Sequence, residues 1–585
     1  MQLNRKDLIR EIKESSSLKN AYLNSIDIDK NNLLLPVCRA HLSDKELIKL
    51  LTNWRNKNVN VYPTQFKATE ESTYKWFKDV LLKDESRILF LVLNSYGDIN
   101  GHIGLAKVDN ISTALEIDNV IKGNQLAEKG LFSKALTKLM EWSYEILLVE
   151  KIQLRVFSDN EHAINFYSKN FFFLKEKLPL KKTLKDNIVS FLEIKNNEKP
   201  DKFFFLMEHK GTYKRYEDKL LLTAGPSISQ LETNYAFDAA GSGWNSKWSQ
   251  YLNKLEKEFA EYIGVKHAIA TSSCTGALHI ALLALNIGEG DEVIVPDQTW
   301  VATANAVKYT GAKPVFADIN LNSWNLEPTG IKELITSKTK AIIPVHMYGN
   351  PANMAEINKI AQEMNLYVVE DAAPSIGAEF NGKKTGSFGD FGAFSFQGAK
   401  LMVTGEGGML VTNNTDLYEK ALKIWDQGRN PNASRAFWID TYGVKYKMSN
   451  IQAAVGLGQL RRVNLLIDAK RRIFKKYQEF IKDIECLNFI EEYPNSKSIC
   501  WMTSFSLNNN APISRDKLIE ELRKNGVDSR PVFPAISQYP IWGEKNAPKV
   551  NALCIGDNGI NLPSGVCLKN FEIEYVCDVI RKLLT

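Results

Sequence analysis

The stretch Phe394-Ser395-Phe396-Gln397-Gly398-Ala399-Lys400 sets one lysine directly behind a short apolar run and ahead of the turn Gly405-Glu406-Gly407-Gly408. The run is typical of a strand, and the glycines predict a turn. Upstream, the apolar residues 366–369 lead into Glu370-Asp371, which predicts a strand ending on two carboxylates. Ligands of open α/β sheets collect at such strand ends. From residue 220 onward strands and helices alternate, which predicts an α/β fold with a mainly parallel sheet between helices.

A lysine and an aspartate in this arrangement fit the chemistry of pyridoxal 5'-phosphate. The lysine amine can form a Schiff base with the aldehyde of that cofactor, and an aspartate can keep its pyridine nitrogen protonated. We therefore predict that Lys400 and Asp371 are catalytic. Each has a plainer interpretation when taken alone, because a lysine beside a loop is usually solvated and a surface turn also tolerates two carboxylates.

Three further features favour a cofactor site. Residues 272–278 follow a predicted strand and open an apolar helix, so Cys274 and Thr275 are candidates to bind a phosphate through free backbone N–H groups. An ordinary helix cap explains the same segment equally well. Trp300 is a candidate to cover the cofactor ring, although a single tryptophan is more often part of a core. The Ser395 hydroxyl is a further candidate to bind the phosphate.

Composition excludes several classes of protein. The length of 585 residues predicts two or three domains, and a 44% hydrophobic content suffices for large cores. The seven cysteines are scattered without a CxxC pair, so we expect neither a disulfide framework nor a metal site. A net charge of +6 without a basic stripe argues against nucleic-acid binding. The polar start and the lack of a long apolar stretch predict a cytoplasmic protein with no membrane partner.

The chain is predicted to contain two domains. Residues 1–30 are charged and helix-prone and are expected to be a solvated extension. Residues 31–210 mix short strands and helices and form the first domain. A polar linker is predicted at 211–218, and residues 219–585 form the second domain. The strand candidates of the first domain are 88–93, 152–156 and 203–207.

Residues 219–585 resemble the DegT/DnrJ/StrS family of sugar-nucleotide aminotransferases, which have the type I aminotransferase fold with a small C-terminal subdomain. The resemblance is carried by Ser273-Cys274-Thr275, Thr299-Trp300, Val345-His346-Met347-Tyr348-Gly349, Glu370-Asp371-Ala372-Ala373, Lys400, Gly405-Glu406-Gly407-Gly408 and Met448-Ser449-Asn450-Ile451-Gln452-Ala453-Ala454.

By this resemblance Lys400 binds the cofactor aldehyde, Asp371 contacts the pyridine nitrogen and Trp300 stacks on the ring. The resemblance assigns the phosphate to Cys274, Thr275 and Ser395, and places Tyr348 in the substrate site. It also implies a homodimer with the cofactor at the subunit interface. A related group that dehydrates its substrate has histidine at the lysine position, so Lys400 favours transamination.

The sequence departs from the family pattern at three positions. Cys274 stands where glycine is frequent, and Pro374 stands where many members have glutamine. Lys445 stands where an asparagine commonly crosses from the partner subunit, and as a point charge it can meet a phosphate of the cofactor or of a nucleotide sugar. Arg530 is a candidate to bind the substrate diphosphate together with Lys445; a structural salt bridge is an equal alternative for the arginine.

The first half resembles GNAT-type N-acetyltransferases, which have an α+β fold, and particularly those that act on amino sugars. The resemblance is carried by residues 33–37, Trp54-Arg55-Asn56, Trp76-Phe77, residues 114–117, Lys129-Gly130-Leu131, Asn160, Ala163 and Phe166-Tyr167. It implies a loop of backbone N–H groups that binds the pyrophosphate of acetyl-CoA. The candidates to bind acetyl-CoA are Gly123, Lys129, Gly130 and Asn160.

The resemblance makes Tyr167 the candidate acid that protonates the leaving thiolate, and Glu116 a candidate base. A packed aromatic and a solvated edge residue are equal alternatives for the two. The glycine-rich signature of the GNAT family is incomplete here, because residues 124–128 interrupt it.

Together these features predict one bifunctional enzyme of amino-sugar biosynthesis. The second half would transfer an amino group from glutamate to the 4-position of a nucleotide-linked keto-deoxysugar, and the first half would acetylate that amine with acetyl-CoA. Two alternatives stay open: the first half acetylates peptides, or it is a non-catalytic interaction module.

Overall fold

The computed structural model describes residues 3–109, 114–124, 126–186, 188–194, 198–210, 220–430, 434–435, 438–542 and 549–585. The chain divides into two compact units, Leu3–Lys214 and Arg215–Thr585. The predicted linker 211–218 lies outside the described residues. Within the described part of the chain, we find no helix with the length and apolar character needed to cross a bilayer.

The first unit contains six helices and ten strands among its described residues. The helices are α1 (Arg5–Lys13), α2 (Leu18–Leu23), α3 (Lys45–Lys57), α4 (Glu70–Trp76), α5 (Leu131–Glu145) and α6 (Glu161–Lys169). The strands are β1 (Ile26–Asp29), β2 (Asn32–Pro36), β3 (Thr64–Gln65), β4 (Ile88–Asn94), β5 (Ile99–Ala106), β6 (Leu115–Lys122), β7 (Ile152–Phe157), β8 (Phe172–Lys185), β9 (Ile188–Glu193) and β10 (Lys202–His209).

These ten strands form one sheet in the order β1-β2-β4-β5-β6-β7-β10-β8-β9-β3. Neighbours are antiparallel except β6 and β7, which are parallel and joined through α5. One face of the sheet packs on α5 through Leu136 and Leu139, because alternate residues of β6 and β7 are apolar. The other face packs on α3 through Leu47 and Leu51 over β2, β4 and β5.

The expected solvated extension at residues 1–30 is wrong for the residues that the structure describes there. Ile9 is fully buried in the α5 core, and Ile28 is almost so. Strand β1 pairs with β2 in the sheet. Leu8 and Ile9 of α1 cover the core, and the helix also buries the charged residues Asp7 and Lys13, so a high charge in this segment does not make it a solvated extension.

The second unit contains twelve helices and fourteen strands among its described residues. The helices are α7 (Gln230–Ser242), α8 (Gln250–Ile263), α9 (Cys274–Ala284), α10 (Ala302–Tyr309), α11 (Ile331–Leu334), α12 (Met354–Met364), α13 (Thr415–Trp425), α14 (Asn450–Arg461), α15 (Val463–Ile481), α16 (Arg515–Lys524), α17 (Val550–Asn558) and α18 (Asn570–Leu584). The strands are β11 (His267–Thr271), β12 (Glu292–Pro296), β13 (Lys313–Ala317), β14 (Thr339–Ile342), β15 (Tyr367–Asp371), β16 (Glu379–Phe380), β17 (Lys383–Lys384), β18 (Phe391–Ser395), β19 (Gly408–Thr412), β20 (Leu487–Phe489), β21 (Ser496–Lys497), β22 (Ser504–Leu507), β23 (Arg530–Pro531) and β24 (Gly559–Asn561).

The central sheet of this unit has seven strands in the order β11-β19-β18-β15-β14-β12-β13. The four pairs from β18 to β13 are parallel, and only β19 runs against its neighbours. Helices α9 and α13 cover one face and α12 covers the other. Strand β18 is buried at every position, as expected of a strand with helices on both faces. The predicted α/β fold is confirmed.

A smaller antiparallel sheet, β20-β22-β24-β23, follows in the C-terminal part together with α16 and α17. The loop before β22 carries Trp501, and the loop after β23 carries Phe533. Both side chains contribute to the site described next.

Candidate active site

Lys400 is held in a tight turn that leaves the end of β18. The amide of Lys400 donates to the carbonyl of Gln397 at 2.8 Å, and the amide of Gly398 donates to the carbonyl of Gly405 at 2.9 Å. Gly405 has φ +82°, a conformation that favours glycine. The turn therefore fixes the lysine at the carboxyl end of the sheet.

Asp371 is the last residue of β15, the strand beside β18. Its Oδ2 accepts a hydrogen bond from Oγ1 of Thr303 at 2.7 Å, and its Oδ1 accepts one from the amide of Ala373 at 3.1 Å. The residue is 5% exposed. Two donors therefore orient a buried carboxylate.

Lys400, Asp371 and Cys274 interact electrostatically. Burial lowers the pKa of the Lys400 amine, and the charge of the Asp371 carboxylate partly offsets this. Burial raises the pKa of the Cys274 thiol well above its usual range, and the Asp371 carboxylate raises it further. A lysine with a lowered pKa, close to a buried carboxylate, is suited to nucleophilic and proton-transfer chemistry.

Glu370 points away from this group, because neighbouring residues of a strand face opposite sides of the sheet. Its carboxylate accepts hydrogen bonds from the amides of Gly386, Phe388 and Gly389 and from Nε2 of His346. The amide of Ala352 donates to His346 Nδ1, so the imidazole proton lies on Nε2. Of the acidic pair, Asp371 therefore belongs to the site and Glu370 to the scaffold.

Helix α9 begins at Cys274 and presents its amino end to the same region. The Ser273 hydroxyl accepts a hydrogen bond from the amide of Gly276. A Cβ at Gly408 would lie 2.6 Å from the backbone nitrogen of Cys274, so only glycine lets β19 approach the helix start. Ser395, at the end of β18, is 6% exposed. This geometry suits a phosphate, although Ser273 also acts as an ordinary helix cap.

Four aromatic side chains line the neighbourhood of Lys400. Trp300 is 56% exposed, and its ring centroid lies 5.5 Å from that of Phe533. Tyr348 stacks on Phe533 at 5.9 Å and on Trp501 at 5.8 Å. Its φ of +50° is strained for a tyrosine, which is frequent at functional sites. Burial raises the pKa of its phenol.

Trp501 and Phe533 are site residues that no local sequence pattern predicts. Neither residue lies in a glycine-rich turn or beside an acidic group, and Trp501 is about a hundred residues beyond Lys400. A local pattern has no signal for such a contact, because the small C-terminal sheet brings it about.

Lys445 and Arg530 have surroundings that differ from those of Lys400. Both are exposed. The backbone of Lys445 bridges to Asp426, and the guanidinium of Arg530 lies 3.5 Å from the Asp528 carboxylate. The salt-bridge alternative for Arg530 is therefore observed.

In the first unit, β6 and β7 pair only from Leu115 to Ile117 and then separate. Asp118 is the first residue beyond the last pair, and Asn119 has φ +50°. Asn119 accepts a hydrogen bond through its carbonyl from Nδ1 of buried His102 at 2.7 Å. Burial lowers the pKa of His102 to about 4, so this imidazole is neutral.

Glu116 is neither solvated nor free to act as the predicted base. Its Oε1 accepts from Nε of Arg155 at 2.6 Å, and its Oε2 pairs with Nζ of Lys107 at 2.8 Å. Asp118 lies two residues on and shares its face of β6. Burial raises the pKa of the Asp118 carboxyl, which favours proton uptake. The two-residue spacing from Glu116 is the sequence signal that points to Asp118.

Tyr167 packs edge-on against Phe166 and Phe172. Burial, with the charge of Asp118, raises the pKa of its phenol, so it carries a proton as an acid must.

The remaining candidates for acetyl-CoA binding have local structural explanations. A Cβ at Gly123 would lie 2.0 Å from the indole of Trp54, so packing alone requires the glycine. Asn160 caps α6 by accepting from the amide of Ala163. Lys129 and Gly130 are exposed ahead of α5, and Gly130 has φ +88°.

A family model for the DegT/DnrJ/EryC1/StrS aminotransferase family matches residues 226–581. The chain belongs to this family. A second model, for the acetyltransferase (GNAT) domain, matches residues 36–172.

Relatives and solved structures cover the aminotransferase part. GDP-perosamine synthase of Escherichia coli O157:H7 is 40% identical over 360 residues, which are 61% of this chain and 96% of that protein. GDP-perosamine synthase of Caulobacter vibrioides is 39% identical over 364 residues, which are 62% of this chain and 97% of that protein. The crystal structure of an aminotransferase from Psychrobacter cryohalolentis is 30% identical, has a TM-score of 0.58 and covers 61% of this chain and 97% of its own.

Pyridoxal phosphate is the cofactor that this aminotransferase family implies, and the residues present fit it. A lysine of lowered pKa, an oriented buried carboxylate and the start of helix α9 lie at one edge of the sheet. Lys400 would hold the aldehyde carbon, Asp371 the pyridine nitrogen, and the first residues of α9 the phosphate. The exposed ring of Trp300 is available to stack on the pyridine ring.

Proposed function

We propose that the second unit transfers the amino group of glutamate to the 4-position of a nucleotide-linked keto-deoxysugar, and that the first unit acetylates the resulting amine with acetyl-CoA. The first part is carried by the placement of Asp371 at the end of β15 and of Lys400 in the turn after the neighbouring strand β18. The names of the relatives, which specify a GDP-sugar product, support a nucleotide sugar as substrate.

When bound, pyridoxal phosphate supplies the aldehyde that carries the amino group and the cationic ring that acidifies the substrate C–H bond. Asp371 holds the ring proton, because a buried carboxylate with two fixed donors has little freedom to turn away. Lys400 takes the proton from the substrate carbon and returns it, since burial favours its neutral form. The start of α9 binds the phosphate and fixes the geometry of the site.

The acetyltransferase proposal is supported by the face of β6 that carries Asp118. Arg55 lies over the rings of Tyr62 and Phe66, at 4.1 and 4.7 Å from their centroids. Arg55 lowers the pKa of the Tyr62 phenol and Asp118 raises it, so we treat these side chains as one group. We assign Asp118 as the base that takes the amine proton and Tyr167 as the acid for the thiolate, while Arg55 and Tyr62 contact the acceptor.

A homodimer is part of the proposal. Phe237, Trp244 and Trp248 are 65%, 60% and 55% exposed, all within α7 and the segment after it. Large exposed aromatic side chains of this kind mark interfaces, and a second copy of the chain would cover them. Sedimentation velocity on the wild type and on Trp244→Glu tests this, with dissociation expected in the variant.

The decisive experiment supplies glutamate and a panel of GDP-, UDP- and dTDP-linked keto-sugars, with 3-keto and 4-keto members, and then adds acetyl-CoA. We expect the mass of one 4-keto substrate to change by keto-to-amine conversion, and the product then to gain an acetyl group. Amination without acetylation refutes the first-unit proposal, and acetylation of peptides alone favours its alternative. No amination of any sugar refutes the whole assignment.

A further inference from the structure

Trp501 contacts the Lys400 amine and also the backbone of the residue before the lysine. Nζ of Lys400 lies 3.9 Å from the centroid of the Trp501 ring. The indole Nε1 of Trp501 donates to the carbonyl of Ala399, the residue directly before the lysine, at 2.9 Å. One side chain therefore contacts both the amine of the lysine and the turn from which the lysine extends.

Trp501 is itself fixed from several sides. Its backbone amide donates to the carbonyl of Tyr348 at 2.9 Å, and its backbone carbonyl accepts from Nζ of Lys470 at 2.7 Å. Its ring stacks on that of Tyr348, and the residue is 6% exposed. Lys470 is 3% exposed and also donates to the carbonyl of Ser564. A tryptophan held in this way offers a preorganised surface for a cation.

We propose that Trp501 is a positioning residue of the aminotransferase reaction, whose ring face receives the Lys400 amine when the lysine is not joined to the cofactor and stabilises its ammonium form. This inference rests on the proposed function of the second unit. Lys400 has two roles, to hold the cofactor aldehyde and to move the substrate proton. The contact with Trp501 keeps its flexible side chain within reach of the substrate carbon between these roles.

The chemistry requires such a surface. When Lys400 takes the substrate proton, the electron pair of the C–H bond stays with the substrate and the amine becomes an ammonium ion. The Asp371 carboxylate already accepts hydrogen bonds from Thr303 and Ala373. In the proposed reaction it would also contact the ring nitrogen. An aromatic face accepts a cation without competing for that carboxylate.

The ionisable groups around Lys400 and Trp501 are few among the described residues. Asp371 and Cys274 lie near the Lys400 amine, Tyr348 stacks on the Trp501 ring, and Lys470 with the Cys500 thiol lies beside the Trp501 backbone. Burial lowers the pKa of Lys470 to about 7, so part of it is neutral near that pH. Between them, these groups set the local field that a measurement on Lys400 reports.

The test replaces Trp501 alone with tryptophan analogues carrying one, two and three ring fluorines, by site-specific incorporation into the full chain. Fluorine weakens the negative face of the ring and hardly changes its volume. In cofactor-free protein, the pH dependence of chemical labelling of Lys400, followed by mass spectrometry, gives the pKa of the amine. We expect that pKa to fall stepwise across the series, because a weaker ring face favours the neutral amine.

A second measurement uses the cofactor-loaded enzyme. The single-turnover rate with glutamate, read from the visible absorbance of the bound cofactor, is expected to fall roughly 5- to 30-fold across the series. Trp501→Phe keeps an aromatic face but loses the donor to Ala399, so it should slow turnover with a smaller change in the Lys400 pKa. The same fluorinated series at Trp324, a buried tryptophan whose ring contacts Tyr348, is the matched control and should change neither quantity.

An unchanged Lys400 pKa and rate across the Trp501 series overturns the inference. If the Lys400 pKa falls stepwise across the series but the protein aminates no sugar, the Trp501 contact is supported and the proposed substrate is refuted. Failure of the Trp501 inference can therefore be distinguished from failure of the proposed function.

Discussion

The hydroxyl of Thr303 donates to Oδ2 of Asp371 at 2.7 Å, joining the start of α10 to the end of β15. Because the aspartate is almost fully buried, this bond is one of the two that orient it. The orientation of the Asp371 carboxylate is therefore set in part by a residue 68 positions earlier in the chain.

Thr303→Val should lower kcat of transamination about tenfold, since a hydrogen bond to a charged group contributes about 1.5 kcal/mol or more. Thr303→Ser keeps the hydroxyl and is the matched control. Steady-state kinetics with glutamate as donor measure the effect. Equal rates for valine and wild type would show that Thr303 does not orient the carboxylate.

Lys400→Ala should abolish both the visible absorbance of the bound cofactor and transamination, because no other residue of the turn offers an amine. Lys383→Ala, at an exposed lysine of β17, should leave both unchanged. Absorbance spectra and product mass are the measurements. Turnover retained in Lys400→Ala would contradict the assigned role.

Asp118→Asn should lower kcat of acetyl transfer roughly a hundredfold, the contribution expected of a general base. The base must be deprotonated to act, and burial raises its pKa above 3.8, so the acid limb of the pH–rate profile should lie above pH 3.8. That limb should disappear in the variant. Glu116→Gln should keep it, because Glu116 pairs with two cations, Arg155 and Lys107. A limb that vanishes in Glu116→Gln instead would restore the original assignment.

His102 should make the first unit less stable at low pH. Its pKa is lowered from 6.5 to about 4, so the unfolded chain binds a proton that the folded chain does not. The stabilisation is complete above pH 6.5 and is lost as the pH falls towards 4, by about 3 kcal/mol in total. Urea unfolding at a series of pH values should show this slope. His102→Asn should remove it, and a variant with the wild-type slope would contradict the prediction.

The sequence by itself determined the α/β alternation after residue 220, the strand that ends at Asp371 and the turn that carries Lys400. These are local features, fixed by apolar runs and by glycines whose conformations other residues rarely adopt. Tertiary structure decided what lies opposite the lysine: Trp501 arrives through the C-terminal sheet and Thr303 through α10, and no spacing in the chain encodes such meetings. It also decided that Glu116 pairs with Arg155 and Lys107, because the positions of these two cations depend on strand pairing.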